Sequence, residues 1–111
     1  MKPRTKALAI PPEVKRAVAE RDSAGGWPCC IYCGTPAPTD APTAYSCAHY
    51  IPRSQGGLGI ARNILTLCPR CHHEYDATDG RQDMRAYFRA YLQSIYPDWR
   101  EDALVYQKEG G

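Results

Sequence analysis

Six cysteines and three histidines carry most of the reactive chemistry of this 111-residue chain. Cys30 and Cys33 form one C-x-x-C pair and Cys68 and Cys71 a second, with 34 residues (34 to 67) between them. Four soft thiolates in two such pairs are the usual donor set of a closed tetrahedral zinc site. The separation exceeds that of a compact zinc ribbon, so a whole structural unit must fit between the pairs. A redox dithiol or a disulfide pair is the rival reading. A redox pair would want a thioredoxin-like βαβ setting, and none is visible. Cys29 could replace Cys30, but Cys29-x3-Cys33 is the less common spacing, which favours Cys30. Cys47 reads as a buried thiol rather than a ligand.

All three histidines, His49, His72 and His73, fall in the stretch from Cys47 to Asp76. A catalytic metal needs few protein ligands and one open position for water or substrate. Hydrolysis of a phosphodiester also needs a base that is neutral near pH 7, and histidine suits that task. His49 stands at the end of a strand candidate, before a turn. His72 follows a zinc cysteine directly, so its backbone is clamped and its ring can be aimed. Asn63 has an amide able to donate and accept, enough to pin the loop that carries His49. Asp76 is one helical turn beyond His72 and shares its face. Each has a plainer reading: His49 could close a strand, Asn63 could be a turn residue, and His73 could be a solvated helix residue. The combination is what favours chemistry.

The elements that must position these groups are short. Residues 1–10 are basic and lack strong periodicity, and the extreme terminus is expected to be loose. Pro11-Pro12 opens a helix running to about Arg21, and Ser23 to Gly26 ends it. The three prolines of residues 35–44 predict a loop. Tyr45–Pro52 and Asn63–Leu67 are strand candidates, joined across a glycine-rich connection at Ser54–Gly59 that should be flexible. A short helix is expected after Cys71, broken near Gly80. Met84, Tyr87, Phe88, Tyr91, Leu92 and Ile95 repeat at helical spacing over about 81–96, and Pro97 stops that helix. Trp99, Leu104, Val105 and Tyr106 can pack back on the rest.

This pattern predicts one α+β domain over residues 1–111, with a small core that gains much from a staple, either disulfides or a structural metal. No apolar segment resembles a signal peptide or a membrane span, which points to a cytoplasmic setting where cysteines stay reduced. The net charge of +2 is mild. Residues 1–75 nevertheless hold nine Lys/Arg against five Asp/Glu, so the basic excess lies with the motif. Arg53, Arg62 and Arg70 are candidates to grip phosphates. Arg81, Arg85 and Arg89 form a second stripe, which reads rather as an ordinary solvated face.

The residues C-I-Y-C-G, then A-H-Y-I-P-R-S-Q-G-G, then R-N-I-L-T-L-C-P-R-C-H-H-E-Y-D resemble the HNH nuclease family, of the subtype with two zinc-binding C-x-x-C pairs. The resemblance covers residues 30–76. It implies a small ββα-metal finger, here with flanking N- and C-terminal helices, and a metal-dependent endonuclease acting on DNA. By resemblance His49 is the general base, Asn63 positions the loop, and His72 opens the helix as ligand of a divalent ion (Mg2+, Mn2+, Ni2+ or Zn2+). Many members have an acidic residue before the base; here it is Ala48, so His73 and Asp76 join the candidate ligands. The roles the resemblance allows include phage DNA packaging, restriction and recombination, with a partner protein supplying the target. A zinc-stabilised DNA-binding module without catalysis is the alternative.

Overall fold

The computed structural model describes residues 3–38, 40, 45–77 and 81–107. Residues 1–2, at the extreme terminus expected to be loose, lie outside the described residues. The first element, α1 (Pro3–Leu8), is a helix in a stretch whose weak periodicity announced none. Burial explains the difference, because Leu8 is only 3% exposed and holds the segment down. Helix α2 (Pro12–Arg21) begins as expected, with Pro11 extended and Pro12 at the first helical position. Val18 is its buried anchor.

The chain then makes a hairpin that the sequence reading took for a simple helix end. Strand β1 (Ser23–Ala24) pairs antiparallel with β2 (Trp27–Pro28). Gly25 and Gly26, at φ of 59° and 82°, supply the left-handed turn such a two-residue connection requires. Of the expected loop at 35–44, residues 39 and 41–44 lie outside the described residues. Its start folds back, with Pro36 bridged to Cys29 and Ala37 buried.

The central pair is β3 (Ser46–His49) against β4 (Ile64–Leu67), antiparallel, with Cys47 opposite Thr66, Ala48 opposite Leu65 and His49 opposite Ile64. All four residues of β4 are buried. Its apolar run therefore packs on both faces, between the helices on either side.

Helix α3 (Pro69–Ala77) starts before Cys71, not after it, because Pro69 fits a first helical turn. His72 consequently sits inside the first turn rather than opening the helix. Position 80, where a break was expected, lies outside the described residues. Helix α4 (Arg81–Ile95) matches the expected stripe: Met84, Phe88 and Leu92 are buried at i, i+4 and i+8. Tyr87 departs from it at 48% exposed, meeting Tyr32 edge-on at 5.2 Å.

The core joins Tyr50, Leu65, Leu67, Tyr75, Phe88, Leu92, Trp99 and Leu104. The tail thus packs back as expected. Asp22 is buried too, and its carboxylate accepts from Arg21 (2.7 Å), the Thr66 amide (3.0 Å) and the Tyr91 hydroxyl. A buried carboxylate is tolerable only when so paired. The whole is a small α+β arrangement of short antiparallel strands with helices at either end. No helix among the described residues is long and apolar enough to cross a membrane.

The connection 54–59, expected to be flexible, is tied on both sides. The Gly57 amide donates to Pro52 at 3.0 Å, Gly59 to Ala7 at 3.0 Å, Leu58 to Leu104 at 2.8 Å, and Tyr106 to Gly56 at 2.7 Å. A Cβ on Gly57 would lie 1.7 Å from the Ile51 carbonyl oxygen, and one on Gly59 1.9 Å from that of Ala9. These glycines serve close approach rather than mobility.

Candidate functional site

The two C-x-x-C pairs converge. The sulfurs of Cys30, Cys33, Cys68 and Cys71 all lie within 4.8 Å of one another, three of them on buried residues. Cys33 and Cys68 are 3.8 Å apart, the edge of a tetrahedron whose sulfurs sit about 2.3 Å from a central zinc. That gap is far too long for a disulfide. Gly34, at φ 78°, turns the first pair so that its amide reaches the Cys30 carbonyl at 2.9 Å. In the second pair, the Cys71 amide donates to the Cys68 sulfur at 3.4 Å.

The electrostatics call for a cation. The Thr35 hydroxyl, 3.1 Å from its sulfur, holds Cys33 down to about 6, whereas burial pushes Cys30 and Cys71 up. Buried thiols ionise together only around a positive charge. Four sulfurs at this geometry suit a structural zinc. Cys29 stands apart, its thiol against the Trp27 carbonyl at 3.5 Å, which supports the choice of Cys30.

A separate open cleft of about 500 Å3 is lined by Ile10, Cys47, His49, Pro52, Arg53, Ser54, His72 and Asp76. Strand alternation puts Cys47 and His49 on this face and sends Ala48, 1% exposed, into the core. Cys47, half-buried, therefore lines the cleft. Its signal in the sequence was its i−2 position to His49.

His49 is half-buried, and its Nε2 lies 2.9 Å from the Leu8 carbonyl oxygen. A carbonyl can only accept, so Nε2 carries the proton and, in the neutral ring, Nδ1 is left as the basic nitrogen. Burial lowers the pKa of His49 from 6.5; the nearby charges of Arg53 and His72 push the same way, while the Leu8 bond and Asp76 oppose them. His72 Nε2 lies 3.3 Å from Asp76 Oδ2 across one helical turn.

Asn63 is fully buried beneath the loop. Its Oδ1 accepts from the Ile51 amide at 2.8 Å, and its Nδ2 donates to the carbonyls of Leu58 (2.9 Å) and Ile51 (3.3 Å). Its own carbonyl accepts from the Tyr50 amide at 2.7 Å. One side chain thus joins both ends of the turn beyond His49.

Arg53 lines the cleft. Arg62 does not; it pairs with Asp98 at 2.8 Å and stacks 4.8 Å from the Tyr96 ring. Arg70 is exposed on α3 beside Cys71 and Cys33, away from the cleft. His73 is exposed and does not line the cleft. Arg85 and Arg89 both reach Glu101 at 3.4 Å, and Glu101 also receives the Tyr50 hydroxyl. That stripe is a structural network on the surface. The side chain of Arg81 lies outside the described residues. Sequence reasoning missed Leu8 and Ile10 as members of the site, and a main-chain carbonyl leaves no signature in residue type.

A family model described as HNH endonuclease matches residues 30–77. A protein of Nostoc sp. (strain PCC 7120 / SAG 25.82 / UTEX 2576) named Anaredoxin is 38% identical over 39 residues. That match covers 35% of this chain and 51% of the relative, so the chain spans about half the length of the relative it matches. Residues 30–77, which contain the four converging cysteines and both histidines of the cleft, are thus similar to the HNH endonuclease family, a likeness that suggests nuclease or DNA-binding function.

Proposed function

We propose that the chain is a metal-dependent endonuclease that hydrolyses phosphodiester bonds of DNA, with residues 1–111 acting as one domain. The observation that carries this reading is the sharing of one open cleft by His49, His72 and Asp76. An imidazole nitrogen and a carboxylate oxygen 3.3 Å apart on one wall are suitable donors for a divalent ion, and the open mouth leaves room for water and phosphate. His72 with Asp76 would hold that ion. When bound, it supplies Lewis-acid stabilisation to a non-bridging phosphate oxygen and to the leaving 3′ oxygen.

The chain's own groups do the rest. Nδ1 of His49 takes a proton from water as the water oxygen bonds to phosphorus and the bond to the 3′ oxygen breaks. The carboxylate of Asp76 offsets the imidazolium that results. Asn63 fixes the loop, so the ring and Arg53 keep their places while a phosphate enters. Arg53 offers an exposed cation at the cleft for the DNA backbone, a contact that adds affinity without sequence information.

The alternative, a DNA-binding module that does not cut, rested on Ala48. The side chain at 48 points into the core, while a carboxylate, Asp76, is present in the cleft from another element. This favours catalysis. A plasmid-cleavage assay with Mg2+, Mn2+ or Ni2+ is the test: His49→Ala should lose about 10²- to 10⁴-fold in rate with normal zinc content and folding. Cutting by that variant at the wild-type rate would remove His49 from the mechanism.

A further inference from the structure

The chain ahead of the family-matched segment touches the cleft at several points. Helix α1 and the residues after it run across the loop between β3 and β4. The Arg4 guanidinium donates to the Arg53 carbonyl at 3.4 Å, and the Ala7 carbonyl accepts from Gly59 at 3.0 Å. The Leu8 side chain is buried while its carbonyl faces His49 Nε2 at 2.9 Å. Ile10 forms part of the cleft wall. The approach is so close at Gly59 that a methyl group there would collide with the Ala9 carbonyl, 1.9 Å away.

We propose that residues 3–10 are a positioning strap for His49: Gly59 seats the strap, Leu8 anchors it, and the Leu8 carbonyl fixes the ring with its Nδ1 free to act. Residues 3–10 all lie ahead of the matched residues 30–77, whereas their seat, Gly59, lies within them. The consequence for rate rests on His49 being the base. A lone histidine on a strand end would sample both tautomers and several ring rotations. One fixed carbonyl selects a single state, and misplacement of a reacting group by even 1 Å can cost about 10²-fold in rate.

The test uses the full, zinc-loaded chain with 15N-labelled histidine. In the wild type the His49 ring should give the signature of the Nε2–H tautomer over the pH range where it is neutral; an Nδ1–H ring there would overturn the strap. Gly59→Ala should lift the strap, mix the two tautomers, and lower kcat for plasmid cleavage about 10- to 100-fold with little change in KM. Zinc content should stay at that of the wild type. A folded Gly59→Ala protein with the wild-type tautomer and the wild-type rate would also overturn the proposal. Should that variant fail to fold, Leu8→Gly keeps the carbonyl but deletes the anchor, and the same two readouts apply. The strap and the nuclease reading fail separately. A wild-type chain with the tautomer pinned that cuts no DNA with Mg2+, Mn2+ or Ni2+ upholds the strap and sinks the catalysis.

Discussion

The thiolate cluster and the histidine cleft are built on the same hairpin, yet they differ in almost every physical respect. The cluster is closed: its sulfurs face one another, three of the four cysteines are buried, and a backbone amide bonds one of the sulfurs. The cleft is open, and its donors are half-buried or exposed. Cys71 and His72 are consecutive on α3, but one residue of helix turns a side chain by about 100°. Cys71 therefore enters the cluster and His72 the cleft. Metal sites that hold a fold leave no position vacant, whereas sites that react must. Under the proposed reading, Cys71 fixes the backbone that aims His72, so neighbouring residues would serve these opposite ends.

The largest expected effect breaks the closed side. Cys68→Ser, or stripping with a strong chelator, should unfold the domain, since a structural zinc of this kind supplies about 10–16 kcal/mol of apparent binding energy linked to folding. Loss of the far-UV circular dichroism signal on chelation is the readout, and a zinc-free chain that keeps its native spectrum would refute the staple. Next in size is Gly57→Ala. Its methyl group would meet the Ile51 carbonyl oxygen at 1.7 Å, so about 3 kcal/mol or more of stability should be lost in denaturant titration. This variant separates the two regions, because the cleft loop should shift and cutting should fall while zinc stays bound.

Asp76→Asn addresses the open side alone. It should weaken binding of the catalytic ion about 10- to 100-fold by isothermal titration, with unchanged thermal stability. Equal affinities in the two proteins would leave Asp76 as a helix-surface carboxylate. The smallest effect is in pH. Burial first, then Arg53 and His72, hold His49 below the ordinary 6.5, so the neutral base persists to lower pH than a free imidazole would. The single-turnover rate at saturating ion should be flat above 6.5 and fall only below it. An acid limb centred above 6.5 would contradict the buried ring.

Much of the arrangement was legible because residue type carried it. The C-x-x-C pairs named four donors, and the structure brings those four together. The run from Asn63 to Leu67 announced β4, because a strand buried on both faces reads as a short unbroken apolar stretch. The stripe from Met84 to Leu92 announced α4, because burial on one face imposes a helical period. Gly25-Gly26 carried a hairpin signal as well as a helix stop, and only the pairing of Ser23 with Pro28 decided between them. Arg62 looked equal to Arg53 in sequence, but Asp98 and Tyr96, distant in the chain, engage it elsewhere. Glycines 57 and 59 suggested mobility and instead mark close packing by the Ile51 and Ala9 carbonyls.

The sequence by itself determined the chemistry available: four thiols spaced for one soft ion, three histidines beside them, and an asparagine between. Tertiary structure decided which of those groups share a space and which atom of each is presented. The orientation of His49 depends on the carbonyl of Leu8, 41 positions earlier. Every residue has a carbonyl, so no residue name could reveal it; only the folded path of the chain brings that one to the ring.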